Sequence, residues 1–146
     1  MHTDAFKDIE QIVPHRSPMV MIDSYTRIDQ DTARSEKQFS PDSYGVSEGF
    51  VLESILIESL AQTVAAHSGY QSMGDVADEP GMGMLTSVDL FEVYEKVRDS
   101  ALIEVRLEKT DEVGPFKIIT GEVRVENRLM AKGRIKVYEP GAGGEK

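Results

Sequence analysis

The chain has 146 residues, 40% of them hydrophobic and 29% charged, with 16 basic and 26 acidic side chains and a net charge of −10. That is the size and composition of one globular domain, so wholesale disorder and a second independent core are excluded. The acidic balance argues against nucleic acid and anionic lipid as partners. The absence of cysteine removes disulfides, thiolate metal sites and a cysteine nucleophile, and it fits a reducing cytoplasm.

Met1 to Glu10 lacks a basic region followed by an apolar one, so no signal peptide is expected. Asp4 to Ile12 predicts a short amphipathic helix, with Phe6, Ile9 and Ile12 on one face and Pro14 as its stop. Met19 to Asp29 has the character of a strand. Thr32 to Phe39 is its expected hairpin partner across the polar turn Asp29-Gln30-Asp31. Ser40 to Gly49 is rich in turn formers and reads as a loop.

Val51 to His67 predicts a helix of roughly 25 Å at ~1.5 Å per residue. Its apolar residues leave almost no polar face, so it belongs in the middle of the domain, and Gly69 is a plausible stop. It falls short of the ~20 apolar residues that cross a membrane. Gln71 to Gly83 reads as a loop, and strands follow at Met84 to Tyr94, Ala101 to Lys109, Phe116 to Glu126 and Leu129 to Tyr138. Ile103, Val105 and Leu107 alternate with Glu104, Arg106 and Glu108, so one sheet face is greasy and the other wet. A hairpin is expected at Glu126-Asn127-Arg128. One face of an open sheet cannot bury such a helix unless the sheet wraps it. The expected architecture is α+β: a curled antiparallel sheet around one central helix, a single domain over 1–140 with a loose tail at 141–146.

Glu58 is the most conspicuous candidate for chemistry. It lies between Ile57 and Leu60 in the apolar helix, where an unpaired carboxylate is costly. Gln62, one turn on, is placed to hydrogen-bond it. A satisfied structural carboxylate and a general acid or base in a lined pocket are both open at this point. His67 lies roughly opposite Glu58 at ~100° per residue and reads as a helix-end histidine near the C-terminal dipole. His15 and Arg16 sit between Pro14 and Pro18, held with little freedom. They form either a self-bonded turn or a pocket mouth. Lys132, Arg134 and Lys136 line one face of the last strand, a solvated face or a basic strip for an acidic partner. There is no phosphate loop, no metal-ligand spacing and no nucleophile elbow.

The segment Val13-Pro14-His15-Arg16-Ser17-Pro18-Met19-Val20-Met21-Ile22-Asp23, with Glu58-Ser59-Leu60-Ala61-Gln62, resembles the 3-hydroxyacyl-acyl-carrier-protein dehydratases of the hotdog fold. The likeness covers most of the chain. It implies a dimer whose two sheets run on, and loss of water from a 3-hydroxyacyl thioester. In that family a histidine removes the proton beside the carbonyl, a helix carboxylate protonates the departing hydroxyl, and backbone N–H groups at the helix start hold the carbonyl oxygen. Glu58 matches the carboxylate and Gln62 the glutamine that follows it. The family's histidine belongs to a His-Phe-Pro-Gly stretch; here that position is Tyr44, and the Pro-Gly is replaced by Leu52-Glu53. The dehydratase-like proteins of aryl-polyene-type pigment clusters also lack this stretch. This chain resembles them in Pro41-Asp42-Ser43, in the spacing to Glu58 and in Ala65-Ala66-His67.

The resemblance implies Glu58 as the acid/base group and His15 as the remaining candidate base. Gln62, Arg16, Tyr44 and Ile55 are candidate substrate contacts. The expected substrate is a thioester of acyl carrier protein or coenzyme A, with no further cofactor and no metal. Its long arm would enter a tunnel beside Glu58, lined by Ile55 and Leu56, and a carrier protein would dock at Lys132–Lys136 or at Lys96 and Arg98. Two alternatives stand beside dehydration: a hotdog acyl thioesterase, and a non-catalytic acyl-binding subunit paired with an active homologue. A homodimer and a heterodimer with a hotdog homologue are equally compatible with the sequence.

Overall fold

The computed structural model describes residues 5–72 and 84–138. The strands are β1 (Ser24–Arg27), β2 (Thr32–Gln38), β3 (Val46–Ser47), β4 (Phe50–Val51), β5 (Met84–Val93), β6 (Leu102–Val113), β7 (Phe116–Val125) and β8 (Arg128–Tyr138). The one α-helix among the described residues, α1, spans Glu53–Ser72. Six strands form one antiparallel sheet in the order β1-β2-β6-β7-β8-β5. The helix packs on strands from both halves of it, β1, β2 and β6 as well as β7 and β5. This is the hotdog arrangement.

Alternation in the late strands positions the core as the pattern requires. Ile103, Val105 and Leu107 of β6, Ile119 and Val123 of β7, and Ala131, Ile135 and Val137 of β8 are buried, opposite exposed or half-buried polar neighbours. They meet Leu56, Leu60, Val64 and Ala66 of α1. Helix and sheet approach closely at Gly121 in the middle of β7. A Cβ there would lie 2.4 Å from both terminal carbons of Leu60, so only glycine lets the helix settle on the sheet. The β7–β8 hairpin turns on Glu126 and Asn127, both at positive φ, as a two-residue turn between right-twisted strands demands.

Four expectations are corrected. Between Ala5 and Ile12 the N-terminal segment is not one helix: Phe6 bridges to Tyr25 as a short extension of the sheet, and only Ile9–Gln11 winds into a 3₁₀ turn. The loop of residues 40–49 contains a strand, because Val46–Ser47 and Phe50–Val51 pair in a miniature hairpin through Glu48 and Gly49 at positive φ. That hairpin consumes Val51, so α1 begins at Glu53. Gly69 is not a stop. The helix runs through it, and a Cβ there would fall 2.1 Å from the Ile12 carbonyl oxygen. It is a glycine of close approach, which sequence cannot tell from a C-cap. The predicted loop beyond Ser72 and the predicted tail lie outside the described residues.

Candidate active site

His15 and Glu58 come together, although 42 residues separate them in the chain: His15 Nε2 lies 3.5 Å from Glu58 Oε2. Gln62 brings them together. Its side chain is completely buried, and its amide is shared among three groups. Oε1 accepts the Met21 backbone N–H at 2.7 Å; Nε2 donates to the Met19 carbonyl at 2.8 Å and to Glu58 Oε2 at 2.8 Å. Ser59 adds a bond from its hydroxyl to the Met21 carbonyl at 3.0 Å. The Pro14–Met21 segment is thereby strapped to α1 through its main chain, and His15 is carried onto Glu58. Arg16 tightens the same segment by donating to the Val13 and His15 carbonyls, and it pairs with Glu10 at the surface.

Glu58 is not sequestered. Its side chain keeps 37% of its exposure, and that of His15 31%. The helical pattern predicts burial on every side, but among the described residues the sheet ends at edge strand β5 and leaves a strip of α1 open. Ile57, Glu58 and Ala61 lie on that strip, each half-buried. The cavity here is about 100 Å³, walled by His15, Glu58, Ala61, Ala65, Leu85 and Val137. It is too small for an acyl chain, since ligand pockets run from ~300 Å³ upward.

A larger cavity of about 530 Å³ opens at the start of α1, among Phe50, Leu52, Glu53, Leu56, Val93, Tyr94 and Lys96. Lys96 and Arg98 both lie about 5 Å from the Phe50 ring centre, a basic pair at its edge. Within one chain this cavity and the small one beside Glu58 share no wall residue.

The remaining candidates scatter. Tyr44 is exposed and lines neither cavity. Ile55 is buried core packed close to Gly45, whereas Leu56 does reach the larger cavity. Gln62 has both ends of its amide engaged by protein, so it organises the site from behind. Lys132 is exposed, cross-strand from Glu122 and Glu92; Arg134 pairs with Asp89 at 3.6 Å, and Lys136 lies over the Phe116 ring. The strip is largely offset by its own neighbours.

His67 is a correction. With α1 continuing to Ser72 it is not at a helix end but buried inside the domain. Its Nε2 lies 2.7 Å from the Gln30 carbonyl, which only accepts, so Nε2 carries the proton. Nδ1 then accepts from the Tyr25 hydroxyl at 2.5 Å. Burial pushes the Tyr25 hydroxyl well above its ordinary value, against a smaller opposing pull from Arg27. This pair is a structural unit, and it does not line the cavity beside Glu58.

The model of the ApeP-like family, described as ApeP dehydratase, matches residues 7–145. The chain belongs to the ApeP-like dehydratase family. No curated protein matches its sequence. Among solved structures, the dehydratase heterocomplex ApeI:P from Xenorhabdus doucetiae superposes with a TM-score of 0.81 at 18% identity, over 90% of each chain. An uncharacterised protein from Pyrococcus horikoshii gives 0.65 at 14% identity, over 94% of this chain and 93% of that one. A hypothetical thioesterase from Streptococcus pneumoniae TIGR4, solved with coenzyme A, gives 0.63 at 9% identity, over 82% and 88%. These likenesses are of fold. The ApeP-like chain therefore presents a hotdog scaffold on which Glu58 of α1 and His15 of the N-terminal segment meet beside one small cavity.

Proposed function

We propose that this protein is a dehydratase-like acyl-thioester protein in which Glu58 is the proton-carrying group for loss of water from a 3-hydroxyacyl thioester. The observation that carries this is the Glu58 carboxylate: half-exposed on the open strip of α1, fixed by Gln62 and accompanied by His15. A carboxylate with one oxygen pinned and its face open is arranged to exchange a proton with something that docks there. The thioester is carried by acyl carrier protein or coenzyme A, and Lys96 and Arg98 beside the larger cavity are the favoured contact for its anionic groups.

We further infer that a second hotdog chain, a homologue or another copy, seats on edge strand β5. Leu85, Val88 and Leu90 of β5 are exposed, and Leu85 walls the cavity beside Glu58. A chain laid along β5 covers that apolar edge and enlarges the cavity toward substrate size. The likeness to a chain of the ApeI:P heterocomplex supports a non-identical partner.

The test is turnover of a 3-hydroxyacyl thioester, by the protein alone and mixed with a hotdog homologue from the same source. Enoyl product that disappears in Glu58→Gln is the expected result. Product undiminished in that variant overturns the assignment. Release of free thiol without enoyl product indicates a thioesterase, and thioester binding without turnover in every mixture indicates a non-catalytic subunit.

A further inference from the structure

We infer that His15 is not the base of this site but a positioning residue. It is a neutral ring that donates its Nε2–H to Glu58, so that Glu58 alone carries the proton out and back. This rests on the dehydratase reading above.

The inference comes from the two nitrogens of one ring. Nε2 faces Glu58 Oε2 at 3.5 Å, a distance long for a hydrogen bond and of the kind that closes when a site fills. Nδ1 is buried with no hydrogen-bond partner. The chain's own atoms bury it, so neither water nor a docking subunit reaches it in this arrangement.

Three protonation states are to be weighed. A doubly protonated ring puts an N–H at Nδ1 with nothing to accept it, and its compensation is an ion pair still about a third exposed, which is weak. The tautomer with the proton on Nδ1 incurs the same orphaned donor. It also turns the Nε2 lone pair toward an oxygen that already accepts from Gln62. The tautomer with the proton on Nε2 orphans only a lone pair, the more tolerable defect, and points a donor at a carboxylate. In that state the ring has no lone pair to offer a substrate, because the one it has is walled in.

The proton chemistry then falls to the other carboxylate oxygen. Among the described residues nothing donates to Glu58 Oε1, while Oε2 is held by Gln62 and faced by His15. Oε1 takes the hydrogen beside the thioester carbonyl as a proton. The C–H electron pair becomes the carbon–carbon double bond, and the C–O bond breaks with its pair on the departing hydroxyl. Glu58 returns the same proton to that oxygen, releasing water and regenerating the carboxylate. No other reactant is consumed.

Two measurements decide it. In the ¹⁵N-labelled protein, long-range ¹H–¹⁵N correlations of His15 should show Nε2 protonated and Nδ1 unprotonated at neutral pH. A proton on Nδ1, with or without one on Nε2, overturns the inference. This reading needs no turnover, so it stands apart from the dehydratase assay. In turnover, His15→Ala should lose activity roughly 10-fold or more, and His15→Asn or His15→Gln, whose amides donate but cannot take a proton, should restore most of it. If His15 is the base, both amide variants fall at least as far as alanine, by the ~10²–10⁴-fold of a lost acid–base group. If the His15→Ala protein does not fold, the amide variants measured against wild type decide alone.

Discussion

Two histidines are set against the central helix, and they are held in opposite ways. Deep in the domain, His67 has both ring nitrogens engaged, one on the Gln30 carbonyl and one on the Tyr25 hydroxyl. On the open strip, His15 has one nitrogen facing Glu58 and the other facing nothing. The difference separates structure from chemistry. A fully partnered buried ring is spent on holding strand β1 and the β1–β2 turn to α1. A ring left with an unmet nitrogen and a carboxylate neighbour is tolerated only where something else is gained, which is why the second region and not the first is the candidate site.

Substitutions on the two sides should therefore part company. The largest effect is expected at Glu58: Glu58→Gln should lower turnover by at least ~10²-fold while leaving the unfolding midpoint nearly unmoved, since the group is half-exposed. Equal loss of stability would erase the distinction between the regions. Gly69→Ala should do the reverse, leaving the Glu58 pair in place but destabilising the fold by about 1–3 kcal/mol through the clash with the Ile12 carbonyl. That sign opposes the ~1 kcal/mol an alanine ordinarily gains over glycine in a helix. A stabilised variant, seen in denaturant titration, would restore the helix-stop reading of Gly69.

Gln62→Ala should affect both readouts. It strands the Met21 N–H, at about 1–3 kcal/mol, and it releases Glu58 and the His15 segment together. Tyr25→Phe is the mildest, ~1 kcal/mol, through loss of the hydroxyl's bond to His67 Nδ1. It also carries a pH signature. The folded protein holds the Tyr25 hydroxyl protonated beyond its ordinary range, so its contribution is complete below about pH 10 and drains away as pH climbs above that. The gap between wild type and Tyr25→Phe should narrow in alkali. A constant gap would mean the hydroxyl contributes nothing through its proton.

Much of the scaffold was legible in the chain. Alternation in β6, β7 and β8 is a local signal with period two, and the mostly apolar residues of 51–67 point to a helix wrapped by the sheet. What escaped was set by distance and closure. The exposure of Glu58 depends on where the sheet ends, and nothing within the helix encodes that β5 is an edge. The meeting of His15 with Glu58 depends on a glutamine gripping backbone 41 and 43 residues away. Gly69 and His67 were misread because a close contact and a helix terminus leave the same mark in sequence. Local pattern singled out Glu58, Gln62, His15 and Arg16, and the resemblance added Tyr44 and Ile55. Only coordinates divided them into a pair that meets, a glutamine that organises, and Tyr44 and Ile55, which stand apart.

The grip of Gln62 on the Met19 carbonyl and the Met21 amide is indifferent to the identity of either side chain. Met19 itself is largely exposed. That position is therefore free to drift, or to be redesigned for a different acyl group or a different companion, without loosening the hinge point on which the proton-handling pair is hung.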